Sequence, residues 1–181
     1  MKNIKQMVHI ALFAALIALC TLISIPTTPP FTMQIFAVFL AIYALGSRRA
    51  FLAILIYTAI GLLGVPVFSG FRGGAAVLFG ATGGYIIGFL LMPPIYSVIC
   101  RNSANKVRTA LASAVSLIVC YTFGTVWFIK VYGLEFNIAG ILTALQMCVL
   151  PFILPDCIKA LLAYLVYNRI KPILKQIGGR K

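Results

Sequence analysis

The stretch IAGILTALQMCVLPFILPDCIKALLAYLVY, residues 138–167, holds 30 residues, and only Asp156 and Lys159 among them carry charge. Asp156 is one of just two acidic residues in a chain of 181. A run this apolar belongs in a bilayer. An ionisable pair at bilayer depth is costly, so by default it marks a substrate or ion site. As one helix the run would be about 45 Å long, against a hydrocarbon core of about 30 Å. Proline removes a backbone donor and clashes with the preceding turn. Pro151 and Pro155 are therefore expected to divide the run into a short outer helix, 139–150, and a last span, 153–169, opening near Pro155.

The remainder of the chain repeats the apolar pattern. Hydrophobic residues make up 62% and charged residues 9%, with a mean hydropathy of +1.09. A soluble domain would be about half apolar and a quarter charged. Five earlier runs read as spans over 7–25, 31–46, 50–65, 78–100 and 108–129. The expected fold is all-α: one integral membrane domain over residues 1–181, built as a six-helix bundle. The gaps between runs alternate in charge. Lys2, Lys5, Arg48, Arg49, Arg101, Lys106, Arg108, Arg169, Lys171, Lys175, Arg180 and Lys181 fall on one side, and Arg72, Lys130 and Glu135 on the other. Cytoplasmic loops carry the excess of Lys and Arg, so both termini are expected in the cytoplasm of a cell membrane protein.

The net charge of +13 follows those gaps and no nucleic-acid module is visible, so nucleic acid is not an expected partner. Lys2 and Lys5 before an apolar run resemble a secretory signal, but no small-x-small cleavage site follows and a retained helix is expected. The five cysteines show no CxxC spacing and read as small hydrophobes; His9 reads as an ordinary packed or interfacial histidine. No GxxxxGK[ST] loop, clustered acids or Ser/His/Asp set is present, so neither an enzyme, a metal nor a cofactor is expected. A small-molecule binder or carrier is left.

Two outer gaps are rich in glycine: GVPVFSGFRGG (64–74) and LFGATGGYIIGF (78–89). Glycine lets backbone approach a ligand closely and exposes its N–H groups. Gly84 and Gly88 also form a GxxxG, which serves helix packing in lipid. For Gly84 both readings stand. Gly88 reads as packing, and Gly80 to Tyr85, with Thr82 and Gly83, as ligand contact.

Five stretches carry a family resemblance when taken together and in order: PFTMQIFAVFLA (30–41), GSRRA (46–50), GLLGVPVFSG (61–70), GATGGYIIGF (80–89) and LPDCIKALLA (154–163). They resemble the BioY family, the biotin-specific substrate-binding subunits of energy-coupling factor transporters. The chain departs from the family's pattern at Ala81, where proline is usual, and at Pro155, where glycine is usual. The resemblance implies a subunit that captures biotin from outside and works with a membrane coupling subunit and two cytoplasmic ATPases.

On this reading Asp156 accepts a ureido N–H of biotin and Lys159 donates to an oxygen. At i, i+3 the two share one helix face. Gln34 and Thr32 are further polar candidates, and Phe36, Trp127 and Phe123 are candidates to face the thioether ring. Arg72 and Lys130 are candidates to meet the tail carboxylate. The first span, HIALFAALIALC (9–20), places Ala11 and Ala15 four apart and Ala14 and Ala18 on a neighbouring face. Small residues at this spacing let membrane helices approach, and the resemblance implies that Ala11 and Ala15 dock the coupling subunit. Two other classes stay open: the same scaffold for another vitamin such as riboflavin or thiamine, and a membrane enzyme or assembly factor.

Overall fold

The computed structural model describes residues 2–100 and 105–177. Arg101, Arg180 and Lys181 of the expected cytoplasmic set lie outside the described residues, as do the side chains of Lys2 and Lys175. Within them the chain is almost wholly helical: α1 (Lys2–Leu22), α2 (Gln34–Leu45), α3 (Ser47–Leu62), α4 (Ala75–Leu78), α5 (Gly83–Ile99), α6 (Lys106–Tyr132), α7 (Ile138–Cys148) and α8 (Leu150–Ile177). One short hairpin, β1 (Ser24–Ile25) and β2 (Phe31–Thr32), lies between α1 and α2 and pairs Ser24 with Thr32. Three helices are long and apolar enough to cross a membrane: Ile4–Leu22, Lys106–Tyr132 and Leu150–Pro172. Shorter apolar helices run over Gln34–Leu45, Gly83–Ile99 and Ile138–Cys148.

Local chemistry sets the boundaries. Gly46 at φ 78° lets α2 turn directly into α3. Asn105 caps α6 by accepting from the Val107 N–H at 3.1 Å, and Gly133 in the left-handed region closes it. Asn137 caps α7 through the Gly140 N–H at 2.8 Å. The long apolar run does divide, but at Val149 and not at Pro155. Pro151 sits in the first turn of α8, where a missing N–H has no partner to lose. Pro155 lies inside α8, which therefore opens at Leu150.

The helices form a ring in contact order. α8 packs on α2, α2 on α1 and α3, α1 on α3, α3 on α5, and α5 on α6; α7 bridges α6 and α8. Small residues allow this. Ala37 and Ala41 of α2, Ala50 and Ala53 of α3, and Ala163 of α8 are completely buried beside Ile17, Phe39, Ile54 and Met92. The α5–α6 seam is the closest. A Cβ on Gly84 would run into the Trp127 side chain, one on Gly124 into Tyr85, and one on Gly88 would stand 3.0 Å from Cys120 Sγ. Gly88 thus serves packing. Gly84→Val should push α5 off α6 and cost about 1–3 kcal/mol. A lower melting temperature of the detergent-solubilised protein checks this, while Val126→Ala, at an exposed position of the same seam helix, should leave it unchanged.

Candidate functional site

One end of the bundle gathers the C-terminal ends of α1 and α3, the N-terminal ends of α2, α5 and α8, and the hairpin. They enclose a cavity of about 670 Å³, counting its open mouth.

The charged wall comes from α8. Asp156 and Lys159 are 1% and 4% exposed, and Lys159 Nζ donates to Asp156 Oδ1 at 2.8 Å. Tyr121 reaches across from α6 and donates its hydroxyl to Asp156 Oδ2 at 2.6 Å. Lys159 Nζ also lies 3.7 Å from the centroid of the Phe31 ring on β2. Phe31 in turn stacks on Phe152 of α8, with centroids 6.0 Å apart. A carboxylate has about four lone-pair sites and an ammonium three donors. The two protein donors to Asp156 sit on different oxygens, so each oxygen keeps a lone pair, and Asp156 takes one of the lysine's three protons. The pair is fixed in place yet can still accept and donate.

Another part of the lining is neutral. Gln34 opens α2 and Tyr57 comes from α3; they are 5% and 1% exposed. Gln34 Nε2 and the Tyr57 hydroxyl make no hydrogen bond of good geometry to the protein, although the side chains of Thr21 and Gln34 lie beside that hydroxyl. Both atoms belong to residues that line the cavity. Tyr57 is held edge-on against Phe68, with centroids 5.6 Å apart. At the edge of the cavity both polar groups present donors to whatever fills it. The lining also has an apolar part, with Ile86 and Phe89 of α5. Tyr85 points its hydroxyl at Thr125 Oγ1, 3.1 Å away.

Of the residues singled out by sequence, Asp156, Lys159, Gln34, Thr32, Thr82 and Tyr85 line this cavity together. Gly83, Gly84 and Phe36 are not among the lining residues. A Cβ on Gly84 would meet Trp127, one on Gly83 the Leu78 carbonyl, and Phe36 packs against the core. Trp127 and Phe123 stack on each other at 6.4 Å, and Trp127 Nε1 holds the loop before α5 by donating to the Gly80 carbonyl at 3.0 Å. Arg72 lines an adjoining cleft that shares Pro30 and Thr82 with the cavity, and its Nε donates to the Ser69 carbonyl at 3.1 Å. Lys130 is exposed and lies away from both. Tyr121 and Tyr57 were not anticipated. Ala11 and Ala15 are exposed on α1, whereas Ala14 is buried in the core.

The BioY family model matches residues 1–176. A relative from Pyrococcus horikoshii, a probable biotin transporter BioY, is 44% identical over 168 residues, which is 92% of this chain and 96% of that protein. The Thermotoga maritima biotin transporter BioY is 35% identical over 170 residues, 93% of this chain and 97% of its own. The crystal structure of the S-component for biotin from an ECF-type ABC transporter superposes with a TM-score of 0.81 at 24% identity, covering 94% of this chain and 92% of that one. The fold, the order of the motifs and these relatives agree: the chain belongs to the BioY family.

Proposed function

We propose that the chain is the membrane-embedded substrate-binding subunit of an ATP-driven energy-coupling factor transporter and that it captures biotin in the cavity above. The carrying observation is that the buried Asp156–Lys159 pair lines one cavity together with the neutral polar side chains of Gln34 and Tyr57 and with apolar residues. Biotin has ureido N–H donors, a ureido carbonyl, an apolar bicycle and a carboxylate tail. Asp156 accepts a ureido N–H, and Lys159, Gln34 Nε2 and the Tyr57 hydroxyl supply donors for oxygen. Ile86 and Phe89 cover the bicycle, and the tail leads toward Arg72 at the mouth. Tyr121 orients the carboxylate without needing to touch the ligand.

The membrane arrangement belongs to the same proposal. α1, α2, α3, α5, α6 and α8 make six passes of a single integral domain. Both termini then face the cytoplasm, as the clustered bases require, and the cavity opens outward. Having no phosphate-binding loop of its own, the subunit draws its energy from a membrane coupling subunit and two cytoplasmic ATPases, and no chemistry is done on the vitamin.

Purified protein should bind biotin stoichiometrically, and riboflavin and thiamine should not compete. Copurified riboflavin or thiamine identified by mass spectrometry, with no biotin binding, would overturn the assignment. Asp156→Asn and Lys159→Ala should each weaken binding by about 2–5 kcal/mol, because each strands a buried partner. Calorimetry on these folded variants with unchanged affinity would refute the site. Tyr121→Phe removes a bond that exists without ligand, so it should lower the stability of the ligand-free protein by about 1.5–3 kcal/mol, the value of a hydrogen bond to a charged group.

The hydroxyl of Tyr57 gives a sharper signature. Tyr57→Phe removes the hydroxyl and keeps the ring packed edge-on against Phe68, so the ligand-free protein should be about as stable as wild type. Biotin affinity should still drop, by about 1 kcal/mol. A structural role predicts the reverse: lower stability and unchanged affinity.

Coupling is assigned to the exposed small face of α1. Ala11→Trp and Ala15→Trp should abolish uptake and copurification with the coupling subunit while leaving biotin affinity near normal. If binding is lost as well, these alanines belong to the fold's own packing.

A further inference from the structure

A second cavity lies on the far side of the Asp156–Lys159 layer, toward the end of the bundle away from the hairpin. It is a groove of about 760 Å³, counting its open side, between α6 and α8 with α2 as its floor. It exists because these walls do not close on each other: α6 packs chiefly on α5, and α8 on α2. Small residues keep the walls low, Ala110 and Ala114 on α6 and Ala160 on α8. The polar atoms of the floor are already engaged. Tyr43 and Ser113 share a 2.7 Å hydrogen bond, and Ser113 donates to the Thr109 carbonyl at 2.8 Å. What the groove offers an occupant is therefore hydrocarbon surface.

Its end is different. Lys106 stands there on the first turn of α6, exposed, and takes no part in the ion pair found among the described residues, which is Lys159 with Asp156. From Lys106 to Leu117 the α6 wall extends about 17 Å, close to the roughly 15 Å of one leaflet's hydrocarbon. The groove is thus apolar over one leaflet and cationic at that leaflet's edge. Charge and length together select an amphiphile with one chain in the groove and an anionic head at the lysine. We infer that this groove is a binding site for an anionic phospholipid, separate from the vitamin cavity and from the α1 face.

Native mass spectrometry of the purified full chain, titrated with phosphatidylglycerol or phosphatidylcholine of matched chains, tests this. Wild type should retain phosphatidylglycerol about fivefold better than phosphatidylcholine, as expected for one basic residue at a lipid head. Lys106→Ala should erase that preference, whereas Lys5→Ala, a base on α1, should keep it. Ala114→Trp fills the groove and should lose retention of both lipids with biotin affinity intact. If that variant does not fold, Ala110→Leu makes the same test. Equal retention by wild type and the groove-filling variants would overturn the site, and so would an equal effect of Lys5→Ala and Lys106→Ala. Loss of a dimer on filling the groove, with lipid retention unaltered, would assign the groove to a second copy and refute the lipid.

Discussion

The structure depends on one electrostatic constraint, that an acid and a base placed within a membrane helix must answer each other. Asp156 and Lys159 do so over 2.8 Å within a single face of α8. The pair alone would not make the site stable. A buried ion pair seldom improves on well-packed apolar side chains of the same volume, while a broken one is strongly destabilising. Its surroundings therefore had to be built around it. Tyr121 donates to the second carboxylate oxygen and the Phe31 ring lies against the ammonium. That requirement draws α6, the hairpin and the first turns of α8 to one place.

The helix packing divides labour accordingly. Glycines at the α5–α6 seam bring two helices close enough that Tyr85 and Tyr121 project from a stiff wall. The α6–α8 side is left open by comparison, with α7 bridging above and a groove below. Across it, Tyr121 to Asp156 is the side-chain hydrogen bond that joins the two helices among the described residues. A site enclosed by one tight wall and one loose one can hold a ligand firmly and still admit it. Rigid walls on all sides would position the same groups but offer no entry.

How much of this was legible depended on whether a residue's neighbours mattered. Asp156 and Lys159 announce themselves, since charge in an apolar run has a cost that no packing partner removes. Gln34, Thr32, Thr82 and Tyr85 were visible as polar residues at the ends of apolar runs, where a cavity mouth must lie. Tyr121 and Tyr57 were not, because the chain has eight tyrosines and only helix neighbours distinguish a ligand-facing hydroxyl from a packed ring. Gly84 shows the same limit from the other side. A missing Cβ says that something comes close, not whether it is a ligand or Trp127. Pro155 was misplaced for a local reason. Proline disfavours a helix interior by a fixed amount, and in α8 the carbonyl it leaves unmatched is a smaller loss than breaking the helix that carries Asp156 and Lys159 on one face.

Two neutral polar groups complete the argument about capture. A site that satisfied all its own polar groups when empty would gain little from a ligand beyond apolar contact. Here Gln34 Nε2 and the Tyr57 hydroxyl make no hydrogen bond of good geometry to the protein. On the proposed reading a ligand oxygen that reaches them gains those bonds, and it does so only if its own shape lets Asp156 be satisfied at the same time. A ligand of similar size but without matching polar groups would leave both the neutral groups and the charged pair unmet. Discrimination thus rests on polar groups held apart by the fold and completed from outside, and an apolar cavity of the same volume could not supply it.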